Sequence, residues 1–183
     1  MRKSPITLLH AAWFGEAMEL LRQKLNKKNV YYMNATFKDC TQIKASPKIT
    51  NVYALNETFS GCTSLVDISQ FSVPGGYGGS LDKTFMKCSS LVDASSLTLP
   101  GGITSMHSTF MLCTSLEKGP NMQNMVKLTS LYWTFSGCKS LKTAPFPAMA
   151  DTVIIRSRSL RSMVGGVKRS TTFPKSRIRI PFP

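Results

Sequence analysis

The chain has 183 residues, of which 42% are hydrophobic, and this size and apolar content fit one folded domain. No apolar run approaches the roughly 18 residues that a membrane crossing needs, which excludes a transmembrane span. The net charge of +14 is uneven, since residues 1–150 carry +7 and residues 151–183 carry another +7.

Residues 1–29 are predicted to form a helix that caps the rest of the chain. Ser4 can cap its N-terminus, Pro5 suits the first helical position, and three lysines favour its C-terminal end. The apolar positions follow helical spacing: Ile6, Leu9, Trp13, Ala17 and Leu20. Two alternatives stay open. One is a signal peptide, because Arg2 and Lys3 precede the weakly apolar stretch 6–15, and the other is a helix on a membrane surface.

Residues 30–150 contain five copies of one short phrase: ATFKDCTQI, ETFSGCTSL, KTFMKCSSL, STFMLCTSL and WTFSGCKSL. Their cysteines are separated by 22, 26, 25 and 25 residues. Self-similarity at such a period indicates a solenoid, in which each copy forms one coil and packs on its neighbours. Slots are numbered here from each cysteine, so that −3 is the phenylalanine and +3 is a leucine or isoleucine.

Each coil is predicted to contain a short helix, a bend at the cysteine, a short strand and a proline or glycine turn. The helix prediction rests on apolar residues at slots −10, −7 and −3, which fit one side of a helical turn. Equivalent side chains should form ladders through the interior, where each buried Phe or Leu contributes about 1.5–3 kcal/mol. The predicted ladder residues are Phe37, Phe59, Phe85, Phe110, Phe135, Cys40, Cys62, Cys88, Cys113, Cys138, Ile43, Leu65, Leu91, Leu116 and Leu141.

The phrases TFSGCTSL at 58–65 and TFSGCKSL at 134–141 resemble the BspA-type leucine-rich repeats, and the resemblance extends over roughly residues 30–150. It implies an α/β fold: a right-handed, leucine-rich-repeat-type solenoid of about five coils of 22–26 residues. The N-terminal capping helix is predicted from residues 1–29 themselves and not from the resemblance. It also implies a cell-surface or secreted protein that binds a protein or a host-surface ligand, and repeats without catalytic residues.

The five cysteines are expected to be buried free thiols, and no metal or other cofactor is expected. No two cysteines are closer than 22 residues, and the only histidines are His10 and His107, which disfavours a zinc site. Parallel side chains on adjacent coils are also poorly aimed for a disulfide.

Residues 151–183 lose the repeat phrase and form a basic C-terminal tail. Continuing the period of 25 places Met163 in the cysteine slot, Leu160 in the phenylalanine slot and Arg156 at −7, so a degenerate last coil is one interpretation. Three further interpretations stay open: a loosely docked tail, an arm that binds nucleic acid or another polyanion, and an out-of-frame or truncated end. The candidate polyanion contacts are Arg156, Arg158, Arg161, Lys168, Arg169, Lys175, Arg177 and Arg179.

No Ser/His/Asp set, phosphate loop or carboxylate pair is visible, so we predict that the chain is not an enzyme. Asp67 and Asp93, both at slot +5, are expected to be solvated surface positions. Asn34 and Asn56 fit the N-glycosylation pattern, but their shared slot −6 explains both without a sugar. The predicted function is a protein-binding or adhesion module that presents an extended repeat surface. The alternative is polyanion binding through the basic tail.

Overall fold

The structure, a computed structural model, describes residues 32–49 and 52–142. The predicted capping helix at 1–29 and the tail at 151–183 lie outside these residues. Within the described ranges, no segment is helical and none has the length and hydropathy that a membrane crossing requires.

The five copies stack on one another as parallel, in-register coils. Their backbones meet at isolated parallel bridges of single residues: Tyr32–Ala54, Ala45–Asp67, Ile49–Phe71, Ser80–Ser105, Ser105–Ser130, Asp93–Lys118 and Thr98–Asn121. No two consecutive residues of the described chain are bridged, so the bridges do not extend into a continuous strand or sheet.

The prediction of an α/β solenoid is wrong for the residues that the structure describes. Where a short helix was expected, each coil forms a six-residue turn, at 34–39, 56–61, 82–87, 107–112 and 132–137. The expected strands are single bridged residues. The classification as a leucine-rich-repeat solenoid is therefore corrected, and the adhesive role that came with it has no support here.

Backbone hydrogen bonding explains why the turns are not helical. In the first coil, the amides at slots −4, −2 and 0 donate to the carbonyl three residues earlier. The amides at −7, −5, −3 and −1 donate instead to carbonyls of the second coil, at 2.7–2.9 Å. An α-helix needs consecutive amides to bond four residues back within one segment. Alternate amides here bind the neighbouring coil, so the apolar spacing is satisfied by turns.

The core is a column of phenylalanine rings. Successive rings of Phe37, Phe59, Phe85, Phe110 and Phe135 stack with centroids 5.1–5.6 Å apart and planes within 12° of parallel. The structure buries every predicted ladder residue except Cys40, which is partly exposed. Phe71, which the repeat pattern omitted, packs edge-on against Phe59 and Phe85.

Candidate functional site

Four of the cysteine thiols are structural hydrogen-bond donors. Each donates to the phenylalanine carbonyl of the preceding coil at an Sγ–O distance of 3.0–3.2 Å, in the pairs Cys62–Phe37, Cys88–Phe59, Cys113–Phe85 and Cys138–Phe110. All five cysteines are free. Burial raises the pKa of Cys88 and of Cys138 to about 12, which keeps these thiols protonated and unreactive. Cys40, the cysteine of the first coil, is partly exposed.

The slot +5 aspartates also serve local structure. Oδ1 of Asp67 accepts the Ser69 amide and Oδ1 of Asp93 accepts the Ser95 amide, both at 2.8 Å. Hydrogen bonds from Ser95, together with Lys118, lower the pKa of Asp93 to about 2. No group of three histidine, cysteine or acidic residues within 32–49 and 52–142 could hold a metal ion.

The asparagines of the two glycosylation patterns are stacked neighbours. Oδ1 of Asn34 accepts the backbone amide of Asn56 at 3.0 Å, and Asn34 is exposed. Oδ1 of Asn56 is buried without a hydrogen-bond partner. Asn34 therefore has a structural role, because its side chain connects the first coil to the second.

The six-residue turns carry two kinds of surface along the stack, and we call the exposed and partly exposed side chains at slots −6, −5, −2 and −1 the turn face. Over the first three coils this face is charged. Glu57 lies between two lysines, with its carboxylate oxygens 2.5 Å from Lys38 Nζ and 3.4 Å from Lys83 Nζ. The hydrogen bond from Lys38 lowers the pKa of Glu57. These charges are therefore paired with one another across neighbouring coils.

In the last two coils, slots −6 and −5 hold three aromatic residues. His107, Tyr132 and Trp133 form a contiguous cluster, which we call the aromatic patch, with ring centroids 4.4 Å (Tyr132–Trp133), 5.4 Å (His107–Tyr132) and 6.1 Å (His107–Trp133) apart. Trp133 is 37% exposed. Because the rings contact one another, they leave no cage between them for a cation and instead present one outward surface.

Trp133 has the positive φ that slot −5 adopts in all five coils, here with a bulky side chain. Its φ is +56°, a region that bulky side chains rarely occupy. A bulky residue there costs about 1–3 kcal/mol, and the repeated turn, which has the same conformation in each coil, holds it in place. At the same slot the other coils carry smaller or charged residues, so the indole at this position is particular to the fifth coil.

Leu112 extends the apolar part of the turn face, and Gly137 makes room for it. Leu112 is 37% exposed and belongs to the fourth coil. Its Cδ2 lies over Gly137 so closely that a Cβ there would be only 2.7 Å away. The glycine of the fifth coil thus sets the position of an exposed leucine on the fourth.

The sequence-based candidates and the observed surface do not coincide. The eight candidate polyanion contacts all lie outside the described residues. Sequence reasoning missed the aromatic patch, although it had a signal: slots −6 and −5 are Asn-Ala, Asn-Glu, Asp-Lys and His-Ser in four copies, and Tyr-Trp in the fifth.

Comparison with protein-family models, with curated proteins and with solved structures gives no match to this chain.

Proposed function

We propose that the chain is a non-catalytic protein-binding module and that its partner contacts the aromatic patch on the last two coils. The observation that carries this proposal is the Tyr132–Trp133 pair, which only the fifth coil places at slots −6 and −5 and whose rings lie 4.4 Å apart on the turn face.

The charge distribution along the turn face supports this location. Lys38, Glu57 and Lys83 satisfy one another, so these three charges of the turn face are already paired within the stack. Exposed ion pairs also contribute little free energy, typically below about 1 kcal/mol. The aromatic patch differs, because its exposed apolar area consists of rings that ion pairs do not satisfy. Contiguous exposed apolar surface is typical of binding sites, and Trp and Tyr dominate the energetics of protein interfaces.

The experiment uses binders selected from a displayed protein library against the full chain. If the patch is the preferred contact site, most independent binders should compete with one another. They should also lose at least about 10-fold in affinity for Trp133→Gly and Tyr132→Ser. Glycine suits the positive φ of residue 133, so Trp133→Gly removes the indole while keeping the turn.

The matched control is Tyr32→Ser, because Tyr32 is 76% exposed in the first coil, outside the patch. Its replacement should leave binding unchanged. The proposal is wrong if the binders are spread over the surface without competing, or if Trp133→Gly and Tyr32→Ser have equal effects while both variants keep the melting temperature of the parent.

A further inference from the structure

Backbone hydrogen bonds between neighbouring coils are unevenly distributed along the stack. Between residues about one repeat apart in the described ranges, the first and second coils share seven such bonds, the third and fourth share eight, and the fourth and fifth share eight. The second and third coils share only three, donated by the turn amides of Glu57, Phe59 and Gly61. We call this junction between the second and third coils the seam.

The seam lacks the bonds that the other junctions make after the cysteine. At slot +4, the Val66 amide of the second coil donates to the Lys44 carbonyl of the first at 2.9 Å, and the Glu117 amide of the fourth donates to the third at 2.8 Å. The Val92 amide, at the same slot of the third coil, donates to no residue of the second. The isolated parallel bridges between described residues also join the other coils and not these two. Both flanking residues, Val66 and Val92, are exposed.

Tyr77 replaces a further direct bond at the seam. At the other three junctions, the amide at slot −7 donates to the carbonyl at slot −8 of the next coil at 2.9 Å. The equivalent groups at the seam are the Leu55 amide and the Ser80 carbonyl, which do not bond to each other. The buried Tyr77 hydroxyl donates to the Ser80 carbonyl at 2.6 Å instead. Burial raises the pKa of Tyr77 to about 12, and a hydrogen bond from the Leu55 amide to the same hydroxyl limits this rise. One side chain therefore joins the two coils here.

The chain crosses the seam through a glycine-rich connection, 74–79, with the sequence PGGYGG. Gly75 and Gly76 are exposed, and a Cβ at either position would meet nothing within 4 Å. Packing therefore does not restrain these two residues, and glycine adopts many backbone conformations. The phenylalanine column still continues across the seam, since the rings of Phe59 and Phe85 stack at 5.6 Å, so the structure shows the seam closed.

We propose that the stack opens at the seam as two cooperative units, with Tyr77 as the latch that holds them together. One unit consists of the first two coils, and the other consists of the last three. Proteins open locally in contiguous units, and opening here breaks three backbone bonds between coils where any other junction would break at least seven. The aromatic patch lies wholly on the second unit, so the inference is independent of the function proposed above.

Amide hydrogen exchange on the full chain tests this opening. The turn amides that cross the seam should exchange at least about 10-fold faster than those making the same bonds at the next junction. The first set is Glu57, Phe59 and Gly61, and the second is Lys83, Phe85 and Lys87. The amides of the first coil should also exchange more slowly than the first set, because they stay bonded to the second coil during opening: Ala35, Phe37 and Asp39.

The latch is tested by Tyr77→Phe, which keeps the ring and removes only the hydroxyl. It should speed exchange of Glu57, Phe59 and Gly61 by at least about 10-fold, because two hydrogen bonds are lost, and leave the amides of the third coil unchanged. The matched control is Tyr32→Phe, since Tyr32 is 76% exposed, and it should change neither set.

Two results in the parent chain would overturn the opening, and neither needs a variant that folds. Equal exchange at the seam and at the next junction would show that the stack opens as one unit. Fastest exchange in the first coil would show that the stack frays from that end instead. If Tyr77→Phe speeds exchange of the second and third coils equally, Tyr77 stabilises the whole stack and is not a latch.

Discussion

A buried cysteine meets two demands that no other small side chain meets as well. The slot is apolar and close-packed, and it also faces a phenylalanine carbonyl of the preceding coil that accepts the thiol proton. Free cysteine packs as a small hydrophobe and is a weak donor, so it fits both conditions. The repeat pattern alone predicted burial of this slot. It could not predict the carbonyl partner, since that depends on how far one coil is shifted along its neighbour.

The raised thiol pKa predicts a loss of stability in alkali. The pKa of Cys88 is about 12 in the folded chain against 9.0 without the fold. Its contribution is therefore intact below pH 9 and is lost as the pH rises from 9 towards 12, at up to roughly 1.4 kcal/mol per pH unit. Urea unfolding at pH 8, 10 and 11 should show this decline, and Cys88→Ser should decline less steeply because a hydroxyl does not titrate there.

Other groups that titrate in alkali, including Tyr77 with a pKa raised to about 12, affect both chains equally. The informative quantity is thus the difference between the parent and Cys88→Ser. A difference that stays constant from pH 8 to 11 would show that the Cys88 thiol ionises in the folded chain.

The fold depends on the six-residue turn. Two residues of each turn adopt the left-handed backbone conformation. Every turn has positive φ at slots −5 and −1, and glycine occupies only two of these ten positions, Gly61 and Gly137. A positive φ at the third residue of a hydrogen-bonded turn is the feature that favours glycine. Because eight of the ten residues are not glycine, the sequence did not reveal the turns, and the spacing −10, −7, −3 suggested a helix instead.

Substitutions at slot −1 should have opposite effects in the third and fifth coils. Lys87 is exposed with φ +63°, so Lys87→Gly should stabilise the chain by up to about 1 kcal/mol by relieving the left-handed conformation. Gly137→Ala should cost about 1–3 kcal/mol, because φ is +78°, a conformation that is strained for alanine. Denaturant unfolding at neutral pH measures both changes.

The control for the first change is Lys127→Gly, at an exposed lysine whose φ is not positive. There glycine only adds freedom to the unfolded chain and should destabilise the protein. If Lys87→Gly is as destabilising as Lys127→Gly, the left-handed conformation at slot −1 carries no strain.

For the molecule as a whole, the repeat period predicted more of the packing than of the secondary structure. The order of the coils and the burial of the phenylalanine slot follow from five recurrences of one phrase, because equivalent positions must meet when copies stack. The backbone conformation could not be predicted in this way. Half of the turn amides donate hydrogen bonds to another coil, and the spacing of residues within one coil does not indicate those bonds. The aromatic patch was also missed, because it consists of departures from the repeat at Tyr132 and Trp133.

The net charge of the molecule is unevenly distributed along the chain. The described residues contain nine lysines, six acidic residues and no arginine, a net charge of +3, so +11 of the total +14 lies outside them. Any strong binding of a polyanion is therefore expected from those parts of the chain, and its affinity should fall steeply with salt.

Removing residues 165–183 tests that expectation. The deletion takes away five basic residues and no acidic one, which lowers the net charge from +14 to +9. We expect the shortened chain to elute from heparin at lower salt and to keep its melting temperature, because these residues lack the apolar period of the repeats and carry only positive charge. The matched control reaches the same net charge by replacing five exposed lysines of the stack with glutamine: Lys44, Lys48, Lys87, Lys127 and Lys139.

If the control and the deletion elute at the same salt concentration, heparin responds to overall charge and the tail is not a distinct polyanion-binding arm. If the deletion lowers the melting temperature by several degrees, residues 165–183 belong to the fold.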